Sequence, residues 1–157
     1  MNALIQCEPD TMRQSSRKVI GLSTAAGVFV AAVSFIPFTD AVCLSGIEAM
    51  EVLSLAKIYG INKNHKANFL IAKLIEIGIV SAVARAACAA ILRLVPVAGK
   101  AVNIGVAGCF VAGVGEGARY IFEQISLGKR STDDLDWAEK VLTDKSQRLI
   151  DTTKRVR

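Results

Sequence analysis

A chain of 157 residues is long enough for one ordinary domain whose core needs neither disulfide nor metal staples. Hydrophobic residues make up 52% of it and charged residues 21%, and the mean hydropathy of +0.43 lies on the membrane side of ordinary soluble composition. The net charge of +5 is gathered at the two ends, in Arg13, Arg17 and Lys18 and again in Lys154, Arg155 and Arg157; with aromatics at only 6% and held in apolar stretches, nucleic acid is excluded as a partner.

No stretch sustains period-two alternation, while Ala, Leu, Ile and spaced small residues dominate, so the expected fold is all-α. Residues 1–16 read as a polar tail. Ser15 or Ser16 is the candidate cap of a first helix over 17–36. From Val19 to Thr39 no side chain ionises. An 18-residue helix is about 27 Å long, close to the hydrocarbon thickness, so Val19 to Ile36 is the best single membrane span. Glu8 and Asp10 precede the basic cluster and the apolar run is long, which fits an uncleaved anchor better than a secretory signal.

Pro37 lacks the amide that would carry this helix further, and Thr39 can cap a second one with Asp40 in its first turn. That second helix, over 40–59, stops at Gly60, a residue suited to the left-handed cap. Glu48 and Glu51 share its polar face with Asp40 and Ser54. Two carboxylates three residues apart can act as an acid–base pair or an ion site, or can pair with Lys73, Arg85 or Arg93 of the next helix. INKNHK, residues 61–66, is a polar loop in which His65 is a solvated imidazole without a second ligand.

The third helical stretch covers 66–94, with Gly78 as a bend and Lys73, Glu76, Arg85 and Arg93 breaking its apolar character. VPVAGK forms a second turn around Pro96 and Gly99. A fourth helix over 101–127 stops at Gly128. Within it Gly105, Cys109, Gly113 and Gly117 recur every fourth residue, a small-residue stripe that invites close helix packing. Residues 128–157 change character: Ser131 or Thr132 caps an amphipathic helix with aspartates first, basic residues last, and Leu135, Ala138, Leu142 and Leu149 on one face. The domain plan is therefore a tail over 1–16, an apolar helical body over 17–127 whose hairpins form a compact bundle, and an amphipathic helix over 128–157.

Ile36-Pro37-Phe38-Thr39-Asp40, Ile58-Tyr59-Gly60, the run from Leu94 through Pro96 and Gly99 to Asn103, and the small-residue helix ending Gly117-Ala118-Arg119-Tyr120-Ile121-Phe122 resemble, in that order, the YcjF-type domains of unknown function. The resemblance covers residues 30–125. Glu48 stands where that family carries glutamine, and Val97-Ala98-Gly99 is a looser turn than its glycine-rich one. It implies a domain found beside or C-terminal to Era-like GTPases, membrane-associated, and in a bacterial inner membrane facing the cytoplasm.

No GxxxxGK[ST] phosphate loop exists, so the chain is not itself expected to be a GTPase. Gly113 to Gly117 resembles a nucleotide loop only in composition, since no strand precedes it. Cys7, Cys43, Cys88 and Cys109 lack CxxC spacing, and the single His completes no zinc set. No catalytic residue, cofactor or metal is expected. The expected function is a non-enzymatic, membrane-associated helical adaptor or regulatory module working with a GTPase. A soluble homo-oligomeric bundle and a pore-forming protein assembled through the glycine stripe are the alternatives.

Overall fold

The structure, a computed structural model, describes residues 9–33, 39–61, 65–92 and 98–144. Four long helices follow one another: α1 (Pro9–Val33), α2 (Thr39–Ile58), α3 (His65–Leu92) and α4 (Ala98–Ser126). Residues 135–144 form a shorter helix, α5, and none of the described residues is in a strand. The fold is an all-α bundle.

Each helix boundary has a local cause. Pro9 opens α1, where its ring presets φ and its missing amide is no loss, and Asp10 sits in the positively polarised first turn. Residues 9–16 are therefore helix, not tail. Ser16, expected as a cap, is instead fully buried mid-helix, because Met12, Ser16 and Val19 continue one inward face that a hydroxyl hides from a hydropathy reading. At the far end of α2 the chain makes a Schellman cap: Gly60 at φ 67° donates to the Lys57 carbonyl, and Ile61 donates to Ala56. Gly128, at φ 69°, ends α4 in the same way, through Gly128 to Ile125 and Lys129 to Gln124.

Two expected turns differ. α4 begins at Ala98, so Gly99 lies in its first helical turn, where amides have no intrahelical acceptor and a weak helix former does little harm. α3 likewise begins at His65, which is exposed at a helix start and not in the loop. Pro37 and Pro96 lie outside the described residues. The cap of α5 is Asp134, whose carbonyl accepts from Ala138, while Ser131 accepts from the Asp133 amide one turn earlier.

α2 and α4 pack on each other and α1 and α3 flank them, α1 touching both and α3 touching both; α1 and α3 do not meet among the described residues. Leu55, Leu70, Leu74, Ile121, Phe122 and Leu142 are fully buried in the larger core, at one end of the bundle. Burial of each such side chain is worth about 1.5–3 kcal/mol. Ala31, Leu44, Ala107 and Val111 form a second, smaller cluster nearer the α1–α2 connection.

That second cluster is narrow because glycines let the helices close. A Cβ added at Gly27 of α1 would stand 2.9 Å from Val111 of α4, and one at Gly108 of α4 would stand 2.8 Å from Val28 of α1. Each helix thus seats a valine in the other's glycine.

Candidate functional site

Glu48 and Glu51, the two carboxylates singled out by their spacing, are turned into the bundle and not onto a polar outer face: they are 2% and 1% exposed. Small residues receive them. Glu48 lies against Gly78 of α3, its Oε2 3.5 Å from where a Cβ would stand. The Glu51 carboxyl occupies the place where a side chain of Gly115 in α4 would be, with Ile20 of α1 beside it. Neither Glu51 oxygen has a hydrogen-bond partner among the described residues. Burial, then the charges of Glu48 and Glu116, push its pKa up to about 9. Glu51 is therefore a neutral acid at pH 7, held where three helices meet. The side chains of Asp40 and Arg85 lie outside the description, although their backbones belong to α2 and α3.

Next to this seam a polar network ties the helices together, and spacing alone did not reveal it. Arg13 of α1 donates through Nε and Nη2 to Glu123 Oε1 of α4, at 2.7 and 2.5 Å. Arg119 donates to the other Glu123 oxygen at 3.0 Å and through Nε to Glu116 at 2.9 Å. Glu123 holds the Arg13 guanidinium above its ordinary range, by hydrogen bond and then by charge. Burial works against the charge on Arg119, but Glu116, Tyr59 and Glu123 together outweigh it and the net shift is upward. Ser16 Oγ sits 3.1 Å from the Tyr59 hydroxyl and donates to the Met12 carbonyl, linking α1 to the end of α2. Lys66 pairs with Asp133, and Arg130 with Asp134 while lying 5.0 Å over the Trp137 ring.

All of these groups belong to one end of the bundle. Toward the other end, α1 and α2 present an apolar outer face. Leu22 is 74% exposed, Phe29 66%, Val42 75% and Met50 66%, and a shallow groove between the two helices is lined by Leu22, Ala26, Val30, Cys43, Gly46 and Met50. α1 is long and apolar enough, by length and composition, to cross a membrane, with only 22% of the relevant window buried in the bundle.

The glycines of α4 distribute differently from the expected stripe. Gly113 and Gly117 are buried, the latter under Leu142 of α5, but Gly105 is exposed with nothing within 4 Å of an added Cβ. Four-residue spacing overshoots a full turn by about 40° per step, so Gly105 and Gly117 end roughly 120° apart around the helix. The seven-residue pair Gly108 and Gly115 drifts only about 20°; Gly108 meets Val28 and Thr24 of α1, and Gly115 meets Glu51 of α2 with Ile20 of α1 beside it. That spacing was the legible signal.

Compared with family models, curated proteins and solved structures, the chain matches none.

Proposed function

We propose that the chain is a non-enzymatic, membrane-associated helical module in which the α1–α2 hairpin faces lipid and the end carrying α5 stays in water. The observation that carries this reading is the segregation of side chains. Every described ion pair lies in the first half of α1 or α3, in the second half of α4, or in the segment leading into α5. Large apolar side chains are exposed along the outer face of α1 and α2. Such a patch is costly in water and favourable against hydrocarbon. Glu51 is turned into the bundle beside Ile20, away from the lipid-facing stripe.

The same reading assigns the water-exposed end to a protein partner. The apolar side of α5 is occupied by the bundle, since Ala138 and Leu142 are buried, so Asp136, Glu139, Lys140 and Asp144 form its outward surface. An Era-like GTPase is the partner that the family resemblance implies. Membrane fractionation tests the first part: the chain should stay with the pellet through high salt and alkaline carbonate. Release by carbonate, together with a monodisperse detergent-free protein, would replace this reading with a soluble bundle. Co-purification with a phosphate-loop GTPase tests the second part.

A further inference from the structure

We infer that the α1–α2 face recognises an anionic lipid surface, with Lys18 and Lys57 as its paired headgroup contacts; this rests on the lipid-facing reading above. At 100° per residue, Lys18, Leu22, Ala25, Phe29 and Val33 fall within about 80° of arc on α1. All five are exposed. On α2, Val42, Cys43, Gly46, Met50, Leu53 and Lys57 fall within about 100° of arc, and again all six are exposed. Each apolar stripe therefore ends in a lysine.

The two stripes run antiparallel, yet their lysines finish at the same end. Lys18 stands fifteen residues before Val33 and Lys57 fifteen residues after Val42, so each ammonium root lies about 22 Å from the far end of its stripe at 1.5 Å per residue. A lysine stem lying along an apolar surface can deliver its charge to the headgroup level while the stripe below it meets acyl chains. Among the described residues no carboxylate competes on this face. Between Lys18 and Val33 there is none in the sequence, and between Val42 and Lys57 the only two, Glu48 and Glu51, are buried inside the bundle.

Binding of the purified full chain to vesicles of neutral phosphatidylcholine, and to vesicles containing phosphatidylglycerol, separates the claims. A basic side chain near an anionic surface contributes roughly fivefold in affinity, so the two lysines together predict about twenty-fivefold preference for the anionic vesicles, declining with salt. The double variant Lys18→Gln, Lys57→Gln should lose that preference and keep its binding to neutral vesicles. A control pair remote from the face, Lys66→Gln with Lys140→Gln, should keep the preference, and circular dichroism should report equal helicity for all three proteins. Equal wild-type affinity for both vesicles overturns the lysine assignment while the lipid-facing reading stands. Loss of preference in the control pair as large as in the face pair overturns it too. Binding to neither vesicle, with the face hidden in a detergent-free dimer, overturns both.

Discussion

Gly105 and Gly108 stand three residues apart in one helix, and an added methyl group has opposite consequences at the two. At Gly105 it enters open space and improves helix propensity, so Gly105→Ala should stabilise the fold by roughly 1 kcal/mol. At Gly108 it meets the stiff, β-branched Val28, and the overpacking of about 1–3 kcal/mol outweighs the same propensity gain. Parallel denaturant melts of the two variants check the contrast; equal shifts would contradict the packing described for α1 and α4. Glu51 offers a second test with a defined sign. Its folded-state pKa of about 9 lies above the ordinary 4.5, so the folded chain keeps a proton that the unfolded chain has lost. Its contribution is fully present below about pH 4.5 and is lost as pH rises through about 9. Tm should therefore fall between pH 5 and pH 9, and Glu51→Gln, neutral throughout, should flatten that slope. Spacing exposed Glu48 and Glu51 as a pair and assigned them to a polar face. Their burial depends on Gly78 and Gly115, glycines of other helices, and no local pattern carries that information.

The five helices were legible to the extent that their ends carry local chemistry. Gly60 and Gly128 close their helices through left-handed caps because no other residue takes that backbone conformation as cheaply. The start of α1 was hidden, since Ser15 and Ser16 look like caps until Tyr59 is seen to meet Ser16 from α2. A hydroxyl's role depends on what folds back over it. An amphipathic pattern such as that of α5 suits the core, a membrane or a partner equally well. Its leucine seats over Gly117, which places it on the core. Truncating that fully buried side chain, Leu142→Ala, should cost about 2–5 kcal/mol, read from chemical denaturation. Trp137 of the same helix, tilted against Tyr120 at 6.2 Å between ring centroids, should report the loosening of α5 as a change in its emission.

For the molecule as a whole the relevant quantity is polarity along the bundle axis, and two native probes sample its ends. Trp137 is the chain's single tryptophan and sits in the ion-paired end; Cys43 is an exposed thiol on the apolar face. With vesicles present, Trp137 should remain accessible to aqueous iodide and insensitive to brominated acyl chains. An environment-sensitive dye on Cys43, in a variant lacking the other three cysteines, should shift toward an apolar emission. A dye that stays wet with lipid present would contradict the orientation.

The mutual seating of Val111 over Gly27 and Val28 over Gly108 also restricts how this bundle can move. Sliding α1 along α4 by one turn, about 5.4 Å, would lift both valines out of their sockets. Axial piston strokes are thereby forbidden to this helix pair. A disturbance at one end has to reach the other as a tilt of the interlocked pair as a unit.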